Sequence, residues 1–193
     1  MRNFRIRIMV ISLIFVCLLG PAAAVPSQEN ETSAVQEEAV NKLVALNLLK
    51  GYPDGSLGLE NPISRVEFCA VISRMLGYEE DPIVPEAFPF TDVASDHWGF
   101  NYIATAYSLN VVAGYPDDTF KVSNQIRYSE VVTMLVRALG YANDVEGENW
   151  PDNFMQLGDQ LGITNALEID VHKPVTRGEV AVMIRNSLEI KLK

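Results

Sequence analysis

The chain repeats itself at an offset of 63 residues, and this periodicity restricts its fold more than any other feature. Residues 51–54 (Gly-Tyr-Pro-Asp) recur at 114–117, and residues 74–78 (Arg-Met-Leu-Gly-Tyr) recur at 137–141 as Arg-Ala-Leu-Gly-Tyr. Between these blocks, Glu67 also recurs at the same offset. Separated blocks that share one offset indicate a structural unit that the chain uses more than once.

A third and weaker copy follows. Trp98 has its counterpart at Trp150, an offset of 52 residues, whereas Ile126 has its counterpart at Val175, an offset of 49. The intervening loop is therefore shorter by three residues (52 − 49), and it lacks the Gly-Tyr-Pro-Asp sequence. The first copy is incomplete at its front, since Val35 stands at the place of Trp98. A single repeat of this kind cannot bury its apolar faces, so we expect the copies to pack together.

Each copy has the pattern of a helix, a loop and a second helix, which predicts an all-α fold. In the first copy, one helical face carries the apolar residues Val35, Ala39, Leu43, Leu46 and Leu49. We expect this helix to end at Gly51 in a left-handed conformation. The second helix has an apolar stripe within residues 68–76 and is expected to end at Gly77.

The second helices carry recognisable N-terminal caps. Ser64 and Glu67 have the spacing of a capping box, and so do Thr176 and Glu179. The second copy has Arg127 at the cap position, where no side-chain acceptor is available. We therefore expect its helix to lose about 0.5–2 kcal/mol unless another group substitutes.

Residues 1–24 have the layout of a secretory signal peptide. Three arginines precede an apolar run at residues 8–19, and small residues end at Ala24, where we expect cleavage. An uncleaved anchor is the alternative, but the run is shorter than the roughly 20 residues of a membrane span. Residues 25–33 are polar and lack periodicity, which predicts a flexible lead.

Cleavage would leave an acidic chain with one cysteine. The net charge would change from −10 to −13, because three arginines and no acidic residue are lost. Phosphate binding needs a basic face, so nucleic acid is not expected as a partner. Cys69 alone cannot form an internal disulfide, and its apolar neighbours predict a buried thiol.

The ordered motifs of this chain resemble those of S-layer homology (SLH) repeats. Such a repeat opens with Phe-x-Asp-Val and a tryptophan, continues with a Gly-Tyr-Pro-Asp loop and enters its second helix through an Ile-Thr-Arg-Ala-Glu segment. Residues 90–98 and 114–120 match the first two motifs. Residues 63–67 and 175–179 match the third well, and residues 126–130 match it poorly.

The resemblance implies three tandem helix-loop-helix repeats, the first and third degenerate, in a pseudo-threefold bundle. It places them at residues 34–78, 88–141 and 148–188. It also implies a secreted, non-enzymatic module of the cell wall or S-layer without a cofactor. Its partner would be a peptidoglycan-linked secondary cell-wall polysaccharide, commonly pyruvylated and bound non-covalently in grooves between repeats, with surface-layer proteins as further partners and no membrane span after cleavage.

The glycan-binding residues that the resemblance implies come from its three motifs. They are Arg65, Arg177, Trp98, Trp150, Gly51, Gly114, Tyr52, Tyr115 and Asp96. An arginine fork can hold a pyruvyl carboxylate, and a tryptophan face can hold a sugar. Because Tyr128 replaces one arginine and Val35 one tryptophan, we expect at most two competent grooves.

Each implied role has a structural alternative. The arginines could be solvated charges, the tryptophans could belong to the core, and Tyr52 and Tyr115 could serve to pack the loops. His97 and His172 are isolated, so no metal site is expected. No catalytic motif is present in the sequence. A protein-interaction or lattice module without glycan binding, and the anchor fragment of a larger surface protein, remain alternative functions.

Overall fold

The computed structural model describes residues 28–193, with side chains from residue 32 onward. The expected signal peptide and the start of the flexible lead lie outside the described residues. The described part is helical, with no strand or sheet. The helices are α1 (Gln28–Ala45), α2 (Arg65–Met75), α3 (Phe100–Ser108), α4 (Tyr128–Ala138), α5 (Asp152–Gln160) and α6 (Arg177–Ser187), with a short 3₁₀ helix at Ala142–Asp144. Among these, none is long and apolar enough to cross a membrane.

The helices pair between neighbouring repeats. Helix α2 of the first repeat packs against α3 of the second, α4 of the second packs against α5 of the third, and α6 of the third packs against α1 of the first. The third contact closes the arrangement into a ring. The helix-loop-helix unit that is visible in the sequence is therefore not the packing unit, because each repeat gives its second helix to the next one.

Three backbone hydrogen bonds mark the centre of this ring. The N–H group of Ile63 donates to the carbonyl of Val175 (2.9 Å), that of Val175 to Ile126 (3.0 Å), and that of Ile126 to Ile63 (3.1 Å). These residues occupy equivalent places in the three repeats, and all three are fully buried. A closed cycle of this kind defines a pseudo-threefold axis, in agreement with the expected bundle.

The second helices begin as the sequence predicts. Ser64 caps α2 and Thr176 caps α6, and in both a complete capping box forms with the following glutamate. Helix α4 lacks a side-chain cap at Arg127, but Glu130 accepts the backbone N–H group of Arg127 at 3.0 Å.

Backbone carbonyls of a neighbouring repeat supply further caps. The N–H group of Arg65 donates to the carbonyl of Asn124, that of Tyr128 to Lys173, and that of Arg177 to Asn61. These bonds occur at all three second helices, so they do not replace the missing side-chain cap of α4. There the N–H group of Glu130, which a capping hydroxyl would accept, donates to the carbonyl of Arg127 at 3.1 Å, and this bond reduces the predicted defect.

The expectation that Gly51 ends the first helix is wrong. Helix α1 ends at Ala45, and Asn47 takes the left-handed conformation with φ of 56°. The N–H group of Leu48 then donates to the carbonyl of Leu43 at 2.9 Å, as in a Schellman motif. Leu46, which we placed on the apolar face, is 51% exposed because the chain turns away there.

The expected flexible lead is also partly wrong, since α1 begins at Gln28 and includes residues 28–33. The lead contains glutamine and glutamate, which have high helix propensity. Adding residues to a helix that already exists is easier than starting one, so a polar stretch without periodicity can still extend it.

Candidate functional site

The two candidate arginines are buried. Arg65 at the start of α2 is 6% exposed, and Arg177 at the start of α6 is 4% exposed. The solvated-charge alternative is therefore wrong for both. Each guanidinium crosses the boundary between two repeats and enters the Gly-Tyr-Pro-Asp loop of the neighbouring repeat. There its N–H groups donate hydrogen bonds to protein acceptors.

Arg65 joins the first repeat to the second. Its Nε donates to the carbonyl of Phe120 (3.0 Å), and its Nη1 donates to Oε1 of Glu130 (2.9 Å). The guanidinium carbon lies 5.1 Å from the ring centre of Tyr115. Arg65 is thus a bridge between repeats, and few of its donors remain for a ligand.

Arg177 makes the same bridge from the third repeat to the first. Its Nη1 donates to Oε1 of Glu67 (3.3 Å), and its Nη2 donates to the carbonyl of Lys50 (2.6 Å). Its guanidinium carbon lies 4.6 Å from the ring centre of Tyr52. The tyrosines of both loops therefore lie within cation–π distance of the arginines.

Tyr128 occupies the third equivalent position, at the seam between the second and third repeats. Its side chain is fully buried, and its hydroxyl has no hydrogen-bond partner within the described part of the chain. Burial, together with the nearby carboxylate of Glu179, raises the pKa of this hydroxyl far above its ordinary value. The boundary between the second and third repeats, which we name the third seam, therefore keeps a glutamate, Glu179, but has no arginine at the position that pairs with the glutamate at the other two boundaries.

Two equivalent grooves open beside the arginine bridges. The first, which we name the Trp150 groove, has a volume of about 190 Å³. Its lining includes Arg65, Gly114, Tyr115, Glu130, Arg137 and Trp150. The second, the Trp98 groove, has a volume of about 120 Å³. Its lining includes Arg177, Gly51, Tyr52, Glu67, Arg74 and Trp98.

Each groove is assembled from all three repeats. In the Trp150 groove the bridging arginine comes from the first repeat, the loop and Arg137 from the second, and the tryptophan from the third. In the Trp98 groove these parts come from the third, first and second repeats. Neither groove can exist in a single repeat, which gives the ring a direct role in building the site.

The tryptophans are the most exposed parts of the grooves. Trp98 is 58% exposed and Trp150 is 53% exposed, so neither belongs to the core. The Nε1 of Trp150 donates to the hydroxyl of Thr133 at 3.0 Å, which holds the indole in place. Ala70 takes the place of this threonine in the Trp98 groove.

The two loop glycines allow close packing within the loops. A side-chain carbon on Gly51 would lie 2.9 Å from the carbonyl oxygen of Ser56, and one on Gly114 would overlap the ring of Phe90. Asp96 is exposed and does not line either groove. Of the nine candidate residues, Asp96 is the one that the structure does not bring to a groove.

Two arginines that our sequence analysis did not assign to the site also line the grooves. Arg74 is near the end of α2 and Arg137 near the end of α4. Both belong to the block at residues 74–78 that recurs at 137–141, so the repeat itself contained the signal.

Among the described residues no cluster of potential ligands could hold a metal ion. At the third seam, a wide opening of about 1,010 Å³ replaces the groove. Its lining includes Gln36, Glu60, Glu168, Asp170, Lys173 and Glu179. Its lining residues include four carboxylates and one lysine but neither a tryptophan nor an arginine.

Comparison with known proteins gives a consistent family. The family model described as S-layer homology domain matches residues 30–69 and 89–132. The chain is 35% identical over 160 residues to the "Middle cell wall protein" of Brevibacillus brevis. This alignment covers 82% of this chain and 15% of that protein. It is 33% identical over 180 residues to the "Surface layer protein" of Brevibacillus choshinensis, and this alignment covers 93% of this chain and 16% of that protein.

A third relative is the "Cellulosome-anchoring protein" of Acetivibrio thermocellus. It is 27% identical over 158 residues, which cover 73% of this chain and 35% of that protein. The chain thus spans about a third or less of the length of each of these relatives.

Proposed function

We propose, from the premise that this chain belongs to the S-layer homology family, that it is a non-catalytic module which attaches to the bacterial cell wall. The names of its relatives, a cell-wall protein, a surface-layer protein and an anchoring protein, support a place at the cell surface. The ligand that we propose is a secondary polysaccharide linked to peptidoglycan and bearing ketal-linked pyruvate, held non-covalently in the grooves.

The observation that carries this proposal is the pair of equivalent grooves, each with an exposed tryptophan opposite a glycine loop and an arginine. A half-exposed indole offers a flat apolar face on which a sugar ring can stack. An arginine within the same groove can hold a carboxylate through charge-assisted hydrogen bonds. These elements together suit a sugar that carries an acidic substituent.

Within the proposal, the buried arginines shape the grooves while other groups meet the glycan. Arg65 and Arg177 already donate to carbonyl groups and to a glutamate, so the ligand would contact them at most through a remaining N–H group. Arg137 is less buried and has no such partner among the residues that the structure describes, so it is the group best placed to receive a carboxylate.

Sedimentation with purified cell walls tests the function. We expect the wild-type protein to sediment with walls and to remain in solution when the polysaccharide has been extracted from them. Trp98→Ala and Trp150→Ala should each weaken binding, and the double variant should remain in solution. Leu192→Ala is the matched control, since this side chain is 61% exposed but lies outside both grooves. A folded double variant that sediments like the wild type would refute the proposal.

The third seam favours a second candidate, a contact with other surface-layer proteins. Tyr128 and Val35 replace the arginine and the tryptophan there, and the opening is wide, with four carboxylates and one lysine in its lining. A surface used for protein contacts does not need a sugar groove. Light scattering over a concentration series, with purified surface-layer protein added, tests this candidate. A monomer that captures no such protein would count against it.

A further inference from the structure

We propose that the Trp150 groove is the principal site for an acidic sugar and that Glu79 weakens the Trp98 groove for the same ligand. This inference rests on the proposed function and concerns the difference between the two grooves. The difference on which it depends lies at the arginine near the end of the second helix, which is Arg137 in one groove and Arg74 in the other.

Arg137 is available to an anion. It lines the Trp150 groove, and its guanidinium carbon lies 5.5 Å from the ring centre of Phe154. In the described part of the chain, no carboxylate and no hydrogen-bond acceptor is paired with it. Partial burial lowers the pKa of Arg137 by disfavouring its charged form, and a bound carboxylate would compensate for the lost hydration.

Arg74 is occupied. Its Nε donates to Oε1 of Glu79 at 2.9 Å, and the same oxygen accepts from Nζ of Lys50 at 2.7 Å and from the hydroxyl of Tyr102 at 3.0 Å. The side chain of Arg74 is only 12% exposed. Its Nη1 and Nη2 lie 3.5 Å from the carbonyl of Leu48 and 3.4 Å from the hydroxyl of Tyr102, so every donor nitrogen of Arg74 already has a protein partner. A ligand carboxylate would compete with these partners for a guanidinium that Glu79 has already paired.

The equivalent network is absent from the Trp150 groove because all three partners differ. Ala142 stands at the place of Glu79, Ala113 at that of Lys50, and Phe154 at that of Tyr102. Lys50 and Glu79 are replaced together, so the formal charge balance of the two grooves is the same. Competition for the arginine, and not the total charge, therefore distinguishes the grooves.

The expected difference in affinity between the two grooves follows from the strength of one hydrogen bond between an arginine and a carboxylate. A hydrogen bond to a charged group changes an equilibrium by about ten- to a hundredfold. We therefore expect one strong site per molecule for an acidic sugar, with the second site weaker by about that factor.

Calorimetry with a defined probe tests the inference. The probe is the pyruvate ketal of a methyl hexoside, and its methyl ester serves as the uncharged control. For the wild-type protein we expect one strong site for the acid and none for the ester. Arg137→Gln should weaken that site about tenfold or more, whereas Lys42→Gln, which removes a positive charge outside both grooves, should leave it unchanged.

Exchanging the residues at positions 79 and 142 provides the decisive comparison. Glu79→Ala should add a second strong site, and the further change Arg74→Gln should remove it again. Ala142→Glu should weaken the Trp150 groove by giving Arg137 a carboxylate partner. Glu79→Gln, which keeps an oxygen acceptor for Lys50 and Tyr102, should also strengthen the second site if Glu79→Ala disturbs the fold.

Each outcome supports or refutes the inference. Two equal strong sites in the wild type, or a folded Glu79→Gln variant without a gain at the Trp98 groove, would refute it. A protein that sediments with walls but binds neither probe would also refute it, while leaving wall attachment intact. A protein that does not sediment with walls would instead refute the proposed function itself.

Discussion

Arg65 and Glu130, which are 65 residues apart in the chain, form an ion pair with 2.9 Å between Nη1 and Oε1. The pair joins the first repeat to the second, and Arg177 with Glu67 joins the third to the first in the same way. Both arginines are nearly inaccessible, so these pairs hold the ring together in addition to shaping the grooves.

We predict that Arg65→Ala lowers the free energy of unfolding by about 3 kcal/mol or more, because it leaves Glu130 and the Phe120 carbonyl without their buried partner. Arg137→Ala is the matched control, since it removes the same side-chain type without breaking an ion pair, and should cost about 1 kcal/mol or less. Urea denaturation measures both. Equal losses would contradict a structural role that is particular to Arg65.

We predict that Tyr128→Phe raises the free energy of unfolding by up to about 1 kcal/mol. The change removes a buried hydroxyl that has no hydrogen-bond partner among the described residues, and with it a desolvation penalty. Tyr141→Phe provides the opposite control, since the hydroxyl of Tyr141 donates to the carbonyl of Lys191 at 3.0 Å and its loss should cost about 0.5 kcal/mol. Thermal melts of the three proteins decide the sign, and a destabilised Tyr128→Phe would contradict the prediction.

We predict an acid-dependent loss of stability that requires Glu79. Hydrogen bonds from Lys50, Arg74 and Tyr102 lower the pKa of Glu79 to about 2. Because the folded pKa lies below the ordinary value of 4.5, its contribution is fully present above about pH 4.5 and is lost as the pH falls toward 2.

The comparison is between the wild-type protein and Glu79→Gln. The difference in melting temperature between them should be largest near neutral pH and should shrink between about pH 4.5 and pH 2. A difference that does not change over this range would show that the carboxylate adds nothing to stability through its charge.

We predict that Gly51→Ala and Gly114→Ala each lower the free energy of unfolding by about 1–3 kcal/mol, because the added methyl group meets atoms of the protein's own loops. The measurement is denaturation in the absence of any glycan. If the variants unfold like the wild type but fail to bind cell walls, the prediction is contradicted, and the glycines act only through contact with the ligand.

We predict that the thiol of Cys69 resists modification in the folded protein. The side chain is fully buried, and burial raises its pKa to about 12, which suppresses the reactive thiolate. In a Cys17→Ser background, reaction with a disulfide reagent at pH 8 should be about a thousandfold slower than after unfolding in urea. A comparable rate in both states would contradict the buried position.

Much of the local structure could be predicted because its signals are short in range. Ser64 and Glu67 form their capping box within one helical turn, and the helix beyond them ends near Gly77, as its sequence indicates. The end of α1 was missed because Asn47 is a less frequent left-handed residue than glycine, and Gly51 was the more conspicuous signal. Asn110 and Gly162 take the same conformation in the other repeats.

The sequence could predict which types of residue line the candidate site, but it could not predict the role of each one. The motifs brought Arg65, Arg177 and both tryptophans to the grooves, yet the burial of the arginines depends on loops more than 45 residues away in the chain. Arg74 and Arg137 are equivalent in the repeat alignment, and only their tertiary contacts distinguish them: Arg74 contacts Glu79 and Tyr102, whereas Arg137 packs on Phe154.

The sequence by itself determined that one helical unit occurs three times, that two of its three second helices have a side-chain cap, and that arginine and tryptophan each recur at equivalent places in two copies. These features depend on neighbours within a few turns, so the local order of residues is enough to specify them. Only the tertiary structure decided that helices pair between repeats, that the ring closes through α1 and α6, and which arginine remains unpaired. Those outcomes depend on contacts between distant segments, whose geometry exists only after the ring has closed.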